Sequence, residues 1–173
     1  MVKRIIIEGA DQQGKTTLAN ALSKRLGWDI IKFDKPDGNF NFFHDYKFKI
    51  KTISDRNYLS ELVYSRINGF SHRVTKLKEL ENYFNDNFTV LIMLDRGADY
   101  VFDNSRHEDY SEEQIARAIK IYREEFRKLN IKKFIINPNC FGCDNTIDTI
   151  IQMILTWLYT SIQGSKVIVI CLN

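Results

Sequence analysis

The sequence is poor in the features that mark several classes of protein. It has three cysteines in 173 residues, an odd and small number that favours a reducing compartment over a disulfide scaffold. It has no run of roughly 18 apolar residues, which a transmembrane helix would need. The apolar stretch after "MVKR" is also too short for a secretory signal. We therefore expect a cytoplasmic protein without a membrane span.

The chain also lacks a strong charge of either sign. It carries 25 basic and 22 acidic residues, a net charge of +3, and the basic residues are scattered. This balance disfavours a nucleic-acid partner and leaves small anionic molecules as partners. With two prolines and no internal repeat, and with 44% hydrophobic residues, the chain fits one domain over residues 1–173. The oligomeric state stays open, a homodimer included.

Apolar segments of strand length alternate with segments of helical periodicity. Strands are predicted at 4–8, 28–33, 48–53, 89–94 and 132–136. Helices are predicted at 15–26, 58–68, 73–85, 111–128 and 147–159, the fourth of them opened by the capping box "SEEQ". The apolar tail at 166–172 is either a last strand or a poorly ordered end. The alternation predicts an α/β fold, with a parallel sheet of about five strands flanked by helices.

The segment from Gly9 to Thr16 carries a complete phosphate-loop pattern, G-x-x-x-x-G-K-T, between a strand and a helix. In this setting backbone N–H groups surround the β-phosphate of ATP and the helix N-terminus adds its positive end. Lys15 reaches the β- and γ-oxygens, and Thr16 ligates Mg²⁺. The pattern predicts a three-layer phosphate-loop NTPase fold. The predicted ATP-binding residues are Gly9, Gln12, Gln13, Gly14, Lys15, Thr16 and Thr17.

A second polar motif, Asp55-Arg56, ends the third predicted strand. Ligands bind at this edge of an open α/β sheet, so Arg56 can fork onto a phosphate and Asp55 can lie near the metal. The competing interpretation is a solvated pair at a helix start. Asp95, which ends the fourth strand, competes with Asp55 for the metal, and we favour Asp55.

Asp11 is an acid inside the phosphate loop. A carboxylate that faced the triphosphate would be repelled, whereas one that faces a sugar hydroxyl is a good acceptor. The alternative is that Asp11 only tops a turn.

The stretches "EGADQQGKTT" and "SDRNYLSELVY" together resemble thymidylate kinase and its relatives among deoxynucleotide kinases. The resemblance covers roughly residues 3–60 and, more loosely, 89–155. It implies an ATP- and Mg²⁺-dependent phosphotransferase that acts on a deoxynucleoside monophosphate such as dTMP. It places Asp11 near the 3′-hydroxyl of the acceptor, and Arg56 and Ser60 in the acceptor site. "FDKPDGN", at 33–39, resembles a weakened form of that family's loop after the second strand.

The chain departs from that family in the region where the acceptor base would be recognised. Asp55 follows Lys15 by only 40 positions, fewer than thymidylate kinases use. The region holds four aromatic residues that either stack a base or form core: Phe40, Phe42, Phe43 and Tyr46. Asp34, a further candidate substrate-binding residue, ends the second strand, where some small phosphate-loop kinases keep a general base. The alternatives are therefore a deoxynucleoside kinase, a polynucleotide 5′-kinase and a non-enzymatic nucleotide-binding switch.

Two further loops complete the candidate site. Nucleotide kinases place a lid at about 96–111, where Arg96 and Arg106 would close over the transferring phosphoryl group; Arg123 is a weaker candidate. With Lys15 and Asp55, these two arginines form the predicted catalytic set. The loop "INPNCFGCDN" would wrap adenine, and its Cys-x-x-Cys pair is a weak zinc or redox signal without further ligands. The small size and the Asn-, Ile- and Lys-rich composition suggest a viral or phage protein, which would act in the host cytoplasm.

Overall fold

The computed structural model describes residues 2–33, 41, 45–97, 110–137, 148, 150–152, 154, 156 and 168–170. In chain order the elements are β1 (Arg4–Glu8), α1 (Lys15–Leu26), β2 (Asp29–Lys32), β3 (Thr52–Asp55), α2 (Tyr58–Ile67), α3 (Leu77–Asp86), β4 (Thr89–Leu94), α4 (Glu112–Lys128), β5 (Lys133–Ile136) and β6 (Ile168–Ile170). Residues 148, 150–152, 154 and 156 are helical, in agreement with the helix predicted at 147–159. None of the helices within these described residues is long and apolar enough to cross a membrane.

The strands form one sheet in the order β2-β3-β1-β4-β5-β6, and all five pairings are parallel. β1 lies at the centre, between β3 and β4, with Ile7 opposite both Asp55 and Ile92. Parallel strands end at the same edge of a sheet, so the carboxyl ends of β1, β3 and β4 meet there. The two polar motifs of the sequence, the phosphate loop and Asp55-Arg56, are therefore brought side by side.

The central strands are buried on both faces, which divides the core into two. Successive side chains of a strand point to opposite faces. On one face Ile6, Leu91 and Met93 pack against α2, α3 and α4. On the other face Ile5, Ile7 and Ile92 pack against α1 and the helical residues 150, 151 and 154. The result is the three-layer α/β arrangement that the alternation of strands and helices predicts.

The predicted starts of two elements are wrong, and both errors have a local cause. β3 begins at Thr52 and not at residue 48, because Lys51 has a left-handed backbone (φ 56°) that interrupts the extended run. α3 begins at Leu77 and not at residue 73, because Lys76 at its N-cap is left-handed as well. In addition, β6 gives the sheet a sixth strand in the tail that the sequence left open.

Candidate functional site

The phosphate loop turns tightly between β1 and α1. Gly9 has a φ of 141°, and a Cβ at this position would lie 2.7 Å from the carbonyl oxygen of Leu94 on β4. Gly14 is the N-cap of α1 in the left-handed conformation, and its carbonyl accepts a hydrogen bond from the amide of Leu18. Both glycines of the pattern are therefore required by the backbone. Gln12 adopts a positive φ of 60° between them, which the pattern does not reveal.

Lys15 lies buried at the start of α1. Its ammonium group donates to the carbonyl of Ala10 at 2.7 Å and lies 3.8 Å from Oδ1 of Asp11. Burial lowers the pKa of Lys15 to about 8, and the charges of Asp55 and Glu8 oppose that shift. The side chain therefore stays protonated at neutral pH and can place a positive charge over the loop, as the motif requires.

Thr16 and Asp55 form the pair that fits a metal ion. The hydroxyl of Thr16 donates to Oδ2 of Asp55 at 2.7 Å. The other carboxylate oxygen, Oδ1, is buried and has no hydrogen-bond partner among the described residues. A buried, unpaired carboxylate oxygen beside a hydroxyl is an oxygen donor set of the kind Mg²⁺ takes. The residues present therefore fit the metal that the phosphate loop implies.

Asp95, the competing acid, is engaged elsewhere. Arg123 on α4 forks onto its carboxylate with bonds of 2.6 and 2.7 Å, and the amide of Gly97 donates to the same group at 2.9 Å. Burial raises the pKa of Asp95, but the hydrogen bonds from Arg123 and Gly97 outweigh that effect and lower it. The geometry favours Asp55 over Asp95 as metal ligand, because Arg123 already neutralises the charge of Asp95.

Arg96 lies directly after β4, beside the phosphate loop. Its backbone amide donates to the side-chain oxygen of Gln13, which is buried, so Gln13 ties the loop to the end of β4. The Nε atom of Arg96 is buried and finds no hydrogen-bond partner among the described residues. This position suits a residue that turns toward bound phosphates.

Several other predicted residues lie outside the described part of the chain: Asp34, Phe40, Phe42, Phe43, Arg106, Cys140 and Cys143.

A cavity of about 800 Å³ opens beside the loop, and Asp11 and Arg56 belong to its wall. The guanidinium of Arg56 donates to Oδ1 of Asp11, and the hydroxyl of Tyr64 donates to Oδ2 at 3.1 Å. Arg56 also lies over the ring of Tyr64, at 5.2 Å from its centroid. Asp11 thus faces this cavity, on the side where the sequence predicts the acceptor. The pairing of Asp11 with Arg56 was not predicted.

Glu8, at the end of β1, is a buried residue that sequence reasoning missed. Its carboxylate accepts hydrogen bonds from the amide of Asn57 at 2.8 Å, the amide of Ser60 at 3.2 Å and the Ser60 hydroxyl at 2.6 Å. It therefore caps α2, whose own N-cap side chain makes no capping bond. Ser60 lines the cavity, but its hydroxyl is bound to Glu8 and to Tyr122 at 2.8 Å. The Ser60 hydroxyl therefore holds the Glu8 carboxylate in place, and the role of Ser60 in substrate binding stays a prediction.

Replacing Glu8 with Gln is expected to flatten the pH dependence of stability. Burial raises the pKa of folded Glu8 from 4.5 to about 7. The folded state therefore holds this proton more tightly than the unfolded state does. The resulting stability is fully present below about pH 4.5 and is lost as the pH rises through about 7, a change of about 3 kcal/mol at most. Denaturant unfolding at about pH 5 and pH 8 measures it. Exposed Glu79→Gln is the control, and parallel curves for wild type and Glu8→Gln would contradict the expectation.

Tyr46 belongs to both the core and the cavity wall. Its ring is buried and meets Phe33 edge to face at 5.4 Å, and both residues line the cavity. Of the two interpretations of the aromatic residues, core and base-stacking surface, the position of Tyr46 is therefore compatible with both. No cluster of three or more potential metal-ligating side chains is found among the described residues.

The fold is found in solved structures of nucleotide kinases. No protein-family model matches the sequence, and no curated protein does. The YorR protein of Bacillus subtilis, in complex with phosphorylated GDP, is 23% identical, with 90% of this chain and 98% of that chain covered and a TM-score of 0.70. Deoxyadenosine kinase of M. mycoides with bound dCTP is 19% identical, with 88% of this chain and 99% of that chain covered and a TM-score of 0.57. Thymidylate kinase of Ehrlichia chaffeensis is 14% identical, with 89% of this chain and 98% of that chain covered and a TM-score of 0.54. The chain therefore has the three-layer α/β phosphate-loop fold that these structures share.

Proposed function

We propose that this protein is an ATP-dependent nucleotide kinase that transfers the γ-phosphoryl group to a deoxynucleoside monophosphate. One observation carries the proposal. The phosphate loop, with Lys15 and the Thr16–Asp55 pair, lies at the same sheet edge as a cavity whose wall holds Arg56 and Asp11. A donor site and an acceptor-sized site thus share one wall, which a non-enzymatic switch does not need.

The chemistry needs little beyond positioning and charge. Donor and acceptor are both anions, so their approach in line requires positive charge from Lys15 and Arg56. Mg²⁺ held by Thr16 and Asp55 would neutralise part of the charge on the β- and γ-phosphates. Arg96 and Arg106 are the proposed lid arginines, since charge develops on the transferring group. No covalent intermediate on the protein is required.

A deoxynucleoside kinase is the second candidate, and the Asp11–Arg56 pair favours it. A guanidinium already bound to a carboxylate has less charge to offer a phosphate than a free one has. A nucleoside acceptor would bring a neutral hydroxyl and would need a base, for which Asp34 is the candidate. The similarity to deoxyadenosine kinase is compatible with this reading. Because the Asp11–Arg56 pair is accessible from the cavity, with about a fifth of each side chain exposed, we favour a phosphate acceptor that joins it.

The test is a substrate panel with ATP and Mg²⁺. Purified protein is incubated with the common nucleosides, the common monophosphates with dTMP first among them, and 5′-hydroxyl oligonucleotides. We expect the diphosphate of a deoxynucleoside as the product. Turnover of nucleosides alone would establish the second candidate, and turnover of oligonucleotides alone would establish a polynucleotide kinase. No product from any acceptor would remove the proposal.

Asp11→Asn is expected to weaken the binding of the acceptor and to leave the binding of ATP nearly unchanged. The carboxylate faces the cavity, so its proposed partner is the sugar 3′-hydroxyl. Coupling between enzyme (wild type or Asp11→Asn) and acceptor (2′-deoxy or 2′,3′-dideoxy) should be roughly 1–3 kcal/mol. The free energies come from kcat/KM for the four combinations. Zero coupling would mean that Asp11 only shapes the turn or holds Arg56.

A further inference from the structure

The amino-terminal edge of the sheet, opposite the phosphate loop, brings together basic residues that are scattered in the sequence. The strand pairings are parallel, so the first residues of the strands meet at one edge. Lys3 precedes β1, Lys51 precedes β3 and Phe88 precedes β4. The amide of Lys3 donates to the carbonyl of Phe88 at 2.9 Å, and the amide of Lys51 donates to the carbonyl of Lys3 at 2.7 Å. The three residues form a row, which we call the edge row, with neighbouring strands roughly 5 Å apart.

The two lysines of the edge row are exposed neighbours of like charge. Among the described residues no acid forms an ion pair with either of them, and the adjacent Asp29 is paired with Lys49 at 2.6 Å. Basic residues also end helices α1 and α4, which run toward this edge, but there they complement the negative ends of the helix dipoles. Lys3 and Lys51 lie outside the helices, so the edge row keeps an uncompensated positive charge that suits an anionic partner.

Phe88 presents an aromatic ring beside these charges. The residue is 45% exposed, and the ammonium group of Lys3 lies 5.2 Å from the ring centroid. Phe88 (φ 53°) and Lys51 (φ 56°) both have a left-handed backbone, which residues other than glycine seldom adopt. Hydrogen bonds hold both in place: the amide of Phe88 donates to the carbonyl of Asn85 at 3.1 Å, and the amide of Asp29 donates to the carbonyl of Lys51 at 3.2 Å. The backbone therefore fixes where the exposed ring and the two cations stand relative to one another.

We propose that the edge row binds single-stranded nucleic acid, with a base stacked on Phe88 and backbone phosphates at Lys3 and Lys51. Proteins hold single strands without sequence preference by this combination of an aromatic platform and neighbouring cations. An anionic membrane fits less well, since lipid-binding segments carry clusters of roughly four to eight basic residues and the edge row has two. Lys3 precedes Gly9 by six residues of extended chain, so the edge row lies roughly 20 Å from the phosphate loop and forms a separate site.

The test measures the binding of a labelled oligothymidylate by fluorescence anisotropy at several salt concentrations. The oligonucleotide is phosphorylated at its 5′ end, so it cannot act as a phosphoryl acceptor there. Phe88→Ala should weaken binding roughly 5- to 150-fold through the lost stack. Lys3→Gln/Lys51→Gln should reduce the slope of log affinity against log salt by about 1.4, because each phosphate contact on a single strand contributes about 0.7. The matched control is Lys78→Gln/Lys120→Gln, which removes two exposed charges from α3 and α4 and should keep the wild-type slope.

Phe88→Leu is the second variant, in case Phe88→Ala destabilises the chain. It keeps apolar bulk but lacks the ring, so it should also weaken binding. Absence of oligonucleotide binding by wild type overturns the inference, and so does binding by wild type that Phe88→Ala and Phe88→Leu leave unchanged, which would mark a general polyanion surface. Binding to phosphatidylserine vesicles and not to the oligonucleotide would overturn it in favour of a membrane surface. Phosphoryl transfer should be unchanged in these variants, so failure of this inference leaves the proposed function standing.

Discussion

Lys15→Ala is expected to abolish phosphoryl transfer and to leave the fold intact. Lys15 provides the buried positive charge at the phosphate loop, and the phosphates of ATP would lie within its reach. Removal of a preorganised donor to developing charge costs on the order of 10²–10³ in kcat, and the loss of a full charge in a buried site should reach at least that range. Turnover of ATP with the best acceptor of the panel measures the effect.

The fold should survive because, within the described part of the chain, the ammonium group donates a single hydrogen bond, to Ala10, and burial already disfavours its charge. The core residues of α1, such as Leu18 and Leu22, are untouched. Lys24→Ala, an exposed position on the same helix, is the matched control and should keep full activity. Undiminished turnover by Lys15→Ala with normal thermal unfolding would remove the central claim about the loop.

The sequence predicts the fold and the conformation of the phosphate loop well, because both depend on local patterns. The phosphate loop is a contiguous stretch with fixed glycine positions, and both glycines prove to need their special backbone. Helix α4 was bounded correctly through its capping box, in which the Ser111 side chain and the Gln114 side chain each bind the other's backbone amide. Strand β4 was bounded correctly at Thr89–Leu94 because its apolar run is continuous.

The rest of the candidate site depends on pairings between residues far apart in the chain, and a single sequence does not contain them. Glu8 with Ser60, Asp95 with Arg123, and Asp11 with Arg56 are separated by 52, 28 and 45 residues. Each partner was visible as a charged or polar residue, but any of several partners would have fitted. In the structure the Ser60 hydroxyl binds Glu8 and Tyr122, and Arg123 binds Asp95, and neither contact is evident from the sequence. Glu8 had one signal that could have been used, since an acid inside a buried strand requires donors.

Strand β3 shows a second kind of error, in which a polar and apolar alternation in the sequence continues past the residue where the strand is interrupted. The residues from Phe48 alternate in polarity, but Tyr46 and Phe48 pack into the core ahead of the strand. The left-handed Lys51 then restarts the extended chain at Thr52, and its amide donates to the carbonyl of Lys3. This shift extends the strand to Asp55 and buries that carboxylate at the sheet edge, where the proposed metal site needs it.

Arg56→Ala is expected to raise the KM for the monophosphate acceptor far more than the KM for ATP. The guanidinium lies on the cavity wall, its backbone is fixed in the left-handed region (φ 69°), and its amide donates to the carbonyl of Ile7 at 2.9 Å. The backbone of the turn after β3 therefore directs the Arg56 side chain to the cavity wall. Loss of a charge-assisted contact to phosphate is worth on the order of 2–4 kcal/mol, which corresponds to roughly 30- to 1000-fold in KM.

Because Arg56 is paired with Asp11, the Arg56→Ala substitution also changes the surroundings of the Asp11 carboxylate. Arg56→Ala leaves the Asp11 carboxylate without this partner, next to where the acceptor phosphate would bind, and adds repulsion to the lost attraction. The double variant Asp11→Asn/Arg56→Ala removes that repulsion, so it should recover part of the affinity for a 2′,3′-dideoxy acceptor, which cannot make the proposed contact between Asp11 and the 3′-hydroxyl, if Arg56 grips the phosphate. Arg66→Ala on the exposed side of α2 serves as the control for loss of a positive charge. Equal increases in the KM for ATP and for the acceptor would place Arg56 on the donor or in the scaffold. An acceptor nucleoside bound equally well by wild type and Arg56→Ala would favour the deoxynucleoside kinase instead.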